Sequence, residues 1–141
     1  MSEESWTWNS DVSFPSESGA GKRVLDDVLT QLEAHGFSMK DTFGVHMAIE
    51  EALVNAIKHG NRLDASKRVH VNCKVSPRRL WIRIQDEGEG FNPVEVPDPT
   101  SPENLELPCG RGLMLMRSFM SSVEYNKAGN CVVMEKERSD D

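Results

Sequence analysis

The sequence predicts an α+β two-layer sandwich: a largely antiparallel mixed sheet with helices on one face. Three observations carry that reading. Apolar residues recur at helical spacing in two early stretches, and they alternate with polar ones in a later pair of stretches. Helices and strands do not interleave as repeated βαβ units, which a doubly wound parallel sheet would require. A chain of 141 residues is long enough for one real core and too short for two. Residues 1–137 are therefore read as one domain and 138–141 as a tail.

Residues 5–13 (Ser-Trp-Thr-Trp-Asn-Ser-Asp-Val-Ser) read as a first strand at a sheet edge, and Pro15-Ser16 introduces a helix. In that helix Val24, Leu25, Val28, Leu29 and Leu32 share a face until Gly36 stops the run. Ser38-Met-Lys-Asp41 has the form of a capping box for a second helix reaching about residue 59, with Gly60-Asn61 as a left-handed cap. Val69, Val71, Cys73 and Val75 then alternate with His70, Asn72 and Lys74. Across a turn at Ser76–Arg79, Leu80, Ile82 and Ile84 alternate with Trp81, Arg83 and Gln85, which completes a hairpin. Residues 92–109 hold five of the seven prolines and no periodicity, so they form a long loop in the position of a lid. Gly112 to Met120 reads as a third helix, and residues 123–125 and 131–135 as a closing hairpin.

A net charge of −7 argues against a general nucleic-acid or anionic-membrane binder. No apolar stretch is long enough to span a bilayer, and the N-terminus lacks the form of a secretory signal. Cys73, Cys109 and Cys131 match no metal-binding spacing and suit reduced thiols in a cytoplasmic protein, with Cys73 and Cys131 in strand cores.

Three motifs carry the chemistry. In the second helix Glu51, Asn55 and His59 lie four apart and form a polar stripe between apolar neighbours. A surface Glu–Asn pair satisfies the helix alone. The functional alternative puts the Asn55 side-chain oxygen on Mg²⁺, with Glu51 one turn away to deprotonate an attacking hydroxyl or water. Asp86 stands at a strand end ahead of Gly88 and Gly90. That is either a plain Asp–Gly turn or a carboxylate that accepts the amino group of adenine, with glycines permitting close approach. Gly110 and Gly112 open a helix at Leu113, whose N-terminal N–H groups favour phosphate, and Arg111 can add charge-assisted contacts. Each motif alone is common, whereas all three in this order point to an ATP site. Gly19-Ala-Gly21-Lys22 is not a P-loop: Ser16 stands where its first glycine belongs, and Arg23 where Ser or Thr is needed.

With those boxes in place the chain resembles the GHKL ATP-binding superfamily of gyrases, heat-shock chaperones, histidine kinases and mismatch-repair ATPases. Within it the anti-sigma-factor serine kinases of RsbW type are most similar, along nearly the whole chain. Glu51–Asn55 corresponds to the N box, Asp86–Gly90 to the first glycine box and Gly110–Gly112 to the second. The stretch from Gly112 to Glu124 is also similar to that branch. The resemblance implies the Bergerat ATPase fold, ATP with Mg²⁺, and phosphorylation of a serine on an anti-sigma antagonist. A sigma factor and that antagonist would be the partners, with no direct contact to nucleic acid or membrane. A homodimer through the first strand, with Trp6 and Trp8, is a further expectation. The alternatives are a non-catalytic nucleotide-binding module and the catalytic domain of a histidine kinase.

Overall fold

The computed structural model describes residues 6–17, 19–88, 116–126 and 130–139. Strand β1 (Trp8–Pro15) leads into helices α1 (Lys22–Ala34) and α2 (Met39–Val54). A π-helical segment, Asn55–Gly60, continues α2 without a break. Strands β2 (Arg68–Val75) and β3 (Arg79–Asp86) follow, and β4 (Ser122–Tyr125) and β5 (Cys131–Glu137) close the sheet. The strands lie in the order β1-β2-β3-β5-β4, and each of these neighbouring pairs is antiparallel. The predicted fold class is the observed one.

Alternation in the sequence becomes a two-faced sheet. Val69, Val71, Cys73 and Val75 of β2 sit opposite Asp86, Ile84, Ile82 and Leu80 of β3, and all eight are buried. Met134 and Val132 of β5 extend the same face. Against it pack Val28 and Leu32 of α1 and Val45, Ile49 and Ala52 of α2. Burying such aliphatic side chains contributes roughly 1.5–3 kcal/mol each, the main force that closes the two layers. The opposite face, with His70, Asn72, Arg83 and Gln85, is only half-buried.

Several local expectations change. Strand β1 runs through Pro15, which its edge position permits, and α1 begins only at Lys22. Cys73 lies in the core as expected, where burial pushes its thiol up to about 12. Cys131 is buried on the other face of the sheet, where it accepts from Arg83 Nε at 3.3 Å. Ser38 does cap α2 by accepting from the Asp41 N–H at 3.1 Å. The Asp41 carboxylate does not return the bond. It takes the Ser139 N–H at 2.8 Å and the Ser139 hydroxyl at 2.9 Å instead, with Lys136 Nζ 3.7 Å away. Arg138 likewise donates to the His35 carbonyl at 3.3 Å, so the residues read as the start of a tail are pinned to the helical layer.

Asp41 is 3% exposed, so these bonds are shielded from water. Asp41→Ala is expected to cost about 1–3 kcal/mol of stability through the lost acceptors and the stranded donors. Urea denaturation checks this, and an unchanged midpoint would show that the C-terminal anchor is energetically idle.

Candidate functional site

The site forms where the end of the second helix meets the end of the central strand. Glu51, Asn55 and His59 leave the helix at graded depths: Asn55 is 5% exposed, Glu51 half-buried and His59 exposed. The stripe predicted from sequence thus spans the helix from buried to open. At Asn55 the helix changes to π geometry, a rare form that often marks functional positions. Its wider turn is seen in the Asn61 N–H, which donates to the Ala56 carbonyl five residues back at 2.9 Å. The Ile57 carbonyl accepts both the buried Ser16 hydroxyl at 3.1 Å and the Leu63 N–H at 2.8 Å.

Asn55 points its Oδ1 into the interior, where it is buried and has no hydrogen-bond partner among the described residues. Such an orphaned acceptor costs on the order of 1–3 kcal/mol unless a ligand or water satisfies it. A carboxamide oxygen in that condition suits a hard divalent cation, which prefers oxygen donors. Asp86 lies across from it. Both line a small cavity of about 10 Å³, the room of one water, with Ile84, Tyr125 and Asn130 completing the wall.

The two carboxylates share one electrostatic condition. Burial raises the pKa of Asp86, against the opposing pull of the Gly88 N–H and of Lys67. Burial also raises Glu51, while His59 opposes and the neighbouring Glu50 adds to the effect. Both groups therefore hold a proton more tightly than an exposed carboxylate and gain more from a donor or cation brought to them.

The turn after Asp86 is tightly specified. Its Oδ1 accepts the Gly88 N–H at 2.9 Å, and the Asp86 N–H donates to the Asn130 carbonyl at 2.9 Å. Gly60, the last residue of the π segment, lies directly beneath the Asp86 carboxylate. A Cβ on Gly60 would fall inside the carboxylate group, and one on Gly88 would fall on the Gly60 carbonyl. Sequence reading treated Gly60 as a left-handed cap. The left-handed residues are Arg62 (φ 54°) and Leu63 (φ 60°), and Gly60 is required for space rather than for φ. Gly60, Asn61, Tyr125 and Asn130 are parts of the site that sequence reasoning did not assign. The only signal was a Gly-Asn pair after a helix, which ordinary caps also show.

Gly90, Gly110, Arg111, Gly112 and Leu113 lie outside the described residues, as does the loop at residues 92–109. The third helix is described only from Met116, and residues 116–119 are helical. Lys22, the end of the rejected P-loop pattern, is the first residue of α1. Among the described residues no group of three or more His, Cys, Asp or Glu side chains could hold a metal, so a metal here would rely on Asn55 and the ligand's own oxygens. No described helix is long and apolar enough to cross a membrane.

The Gly60–Asp86 contact makes a direct prediction. Gly60→Ala should destabilise the fold by about 1–3 kcal/mol through overpacking. On an Asp86→Ala background the same change should cost much less, giving a coupling of roughly 0.5–3 kcal/mol in a double-mutant cycle. Additive effects would mean that the two residues do not press on one another.

Comparison with known proteins accords with this geometry. The family model described as a histidine kinase-like ATPase domain matches residues 14–136. An anti-sigma F factor of Oceanobacillus iheyensis is 32% identical, covering 88% of this chain and 87% of that protein. The serine-protein kinase RsbW of the same organism is 25% identical over 85% of this chain and 78% of its own length. The serine/threonine-protein kinase BtrW of Bordetella bronchiseptica is 27% identical over 64% of this chain and 66% of its own. A solved structure of the RsbU and RsbW domains of a Mycobacterium tuberculosis protein has the same fold, with a TM-score of 0.63 at 15% identity. That match covers 94% of this chain and 32% of the other. A matched family model over most of the sequence, and a sheet and helices arranged as in that structure, place this chain in the histidine kinase-like ATPase family.

Proposed function

We propose that the chain is an ATP-dependent protein serine kinase that acts as an anti-sigma factor and phosphorylates an anti-sigma antagonist. One observation carries the reading: the unpaired Asn55 Oδ1 and the Asp86 carboxylate line one cavity, with Glu51 a single helical turn toward solvent. Relatives named anti-sigma F factor and RsbW serine-protein kinase support the same direction.

In this reading residues 1–137 form one ATP-binding unit. Asp86 accepts the adenine amino group, and Gly88 and Gly90 let the base approach the backbone. Asn55 Oδ1 would hold Mg²⁺, which when bound neutralises phosphate charge. Gly110, Arg111, Gly112 and Leu113 are assigned to the phosphates from sequence. Glu51 serves as the general base. It takes the proton of the acceptor serine hydroxyl as that oxygen bonds to the γ-phosphorus. The bond from γ-phosphorus to the β–γ bridging oxygen breaks, and ADP leaves. A half-buried carboxylate whose proton affinity is raised by burial is a stronger base than an exposed one. That favours a kinase over a passive nucleotide-binding module. A cytoplasmic homodimer, joined through β1 at the sheet edge with Trp6 and Trp8, completes the reading, with a sigma factor and its antagonist as alternate partners.

Asp86→Ala in a folded protein is expected to weaken ATP binding by about 1–3 kcal/mol, read by calorimetry. Unchanged affinity would remove the adenine assignment. Glu51→Gln should abolish phosphotransfer and keep ATP binding. In the wild type, transfer should fall as Glu51 takes up its proton with falling pH. Because burial raises that pKa, the acid limb should lie above the ordinary Glu value of 4.5. Wild-type protein that transfers no phosphate to any protein co-purified with it in ATP or ADP would leave the non-catalytic module as the function.

A further inference from the structure

We propose that Asn61 is a positioning residue for the Asp86 acceptor, a latch that holds the turn after β3 against the end of the π-helical segment. The proposal rests on the reading of Asp86 as the adenine acceptor. Asn61 is 1% exposed and polar, and both ends of its side-chain amide are hydrogen-bonded. Its Oδ1 accepts the Glu87 N–H at 2.8 Å, and its Nδ2 donates to the Arg68 carbonyl at 3.0 Å. Its own N–H donates to the Ala56 carbonyl at 2.9 Å. One residue thereby ties together the π segment, the first residue of β2 and the turn that follows β3.

The partners fix the orientation of the amide, because a carbonyl can only accept and an N–H can only donate. They also fix the residue type. Asp offers no donor to Arg68, and Ala or Leu offers neither half. The neighbour Gly60 lies under the Asp86 carboxylate, so adjacent residues control the side chain and the backbone of the same turn. On the open face Glu87 adds bonds to the Arg68 N–H and to His70 Nε2, each at 2.9 Å. Those bonds are exposed to water and contribute less than the buried pair on Asn61. With Asn61 intact, the turn beside Asp86 is tied to the same helix end that carries Asn55. Without it, Asp86 keeps its bonds to the Gly88 N–H and the Asn130 carbonyl, but the Glu87 N–H loses its acceptor and only the exposed bonds of the Glu87 carboxylate tie the turn to β2.

The test uses full-length protein and two nucleotides, ATP and purine riboside triphosphate, which lacks the amino group that Asp86 would accept. Wild type should prefer ATP by about tenfold or more. Asn61→Ala should lose most of that preference, with ATP affinity falling about tenfold and affinity for the analogue changing less than about twofold. A purely structural role would weaken both nucleotides alike, and that result, or a preserved preference in folded Asn61→Ala, overturns the proposal. If Asn61→Ala does not fold, Asn61→Leu gives the same readout, since it fills a similar space and offers neither the acceptor for Glu87 nor the donor to Arg68. Amide hydrogen exchange without nucleotide gives an independent arm. The Glu87 amide should exchange about tenfold faster in the variant, while those of Cys73 and Ile82 stay protected. Unchanged exchange at Glu87 also overturns the proposal. Wild type without preference for ATP, combined with faster exchange in the variant, would show that the latch exists and that the Asp86 reading is the part that fails.

Discussion

The site depends on one close contact, that of the Gly60 backbone with the Asp86 carboxylate, where helix end and strand end meet with no side chain between them. Much of the surrounding geometry follows from making that approach possible. A π turn widens the helix just before it, and Ser16 and Leu63 both bond to the Ile57 carbonyl that the turn exposes. The chain then leaves through two consecutive non-glycine residues in the left-handed region, Arg62 and Leu63. Each such residue costs on the order of 1 kcal/mol or more, and it persists only where its surroundings over-determine it. Here they do: Asn61, Leu63 and Asp64 all make backbone bonds that close this exit.

The contact also explains the electrostatic state of the site. A carboxylate laid on backbone, covered by a helix and given one N–H from Gly88, is poorly solvated and only partly compensated. Asn55 brings a second oxygen that has no partner among the described residues. Burying polar groups this way is unfavourable unless a partner satisfies them. The deficit has a definite sign, since both groups are acceptors. The described half of the site is thus short of donors and positive charge, complementary to an amine and a cation. In a chain of net charge −7, such local shortage and not overall charge selects the ligand.

How far the sequence revealed this depends on which forces act locally. The β2–β3 hairpin was legible because one face is covered by helices, and burial on one side forces alternation at spacing two. Asp86 stood out because it stands where the alternating strand runs out ahead of Gly88 and Gly90, and the structure then places it in a buried position opposite Val69. Asn55 was visible through its four-residue spacing from Glu51 and His59, a polar stripe between apolar neighbours. The π segment was not legible, since its five-residue bond from Asn61 to Ala56 has no marker in residue type and the bond that Ser16 makes to Ile57 comes from forty-one positions away. Asp41 has the spacing of a capping box, but its carboxylate is claimed by Ser139, ninety-eight positions away. The fate of Cys131 turned on register, which places it beside Gln85 rather than Ile84.

The gradation of exposure along the second helix separates roles that a flat polar stripe would merge. Asn55 is too buried to meet a protein substrate, and it shares its cavity with the strand-end carboxylate. Glu51, one turn earlier, is shielded enough to gain proton affinity and open enough for a hydroxyl to reach it from solvent. A module that only bound nucleotide would have no use for a carboxylate at that intermediate depth, where desolvation outweighs the opposing pull of His59. The cost is offset only if something arrives from the solvent side with a proton to give. In the proposed kinase reading that group is a serine hydroxyl on a second protein, and the exposed flank of the helix leaves it room.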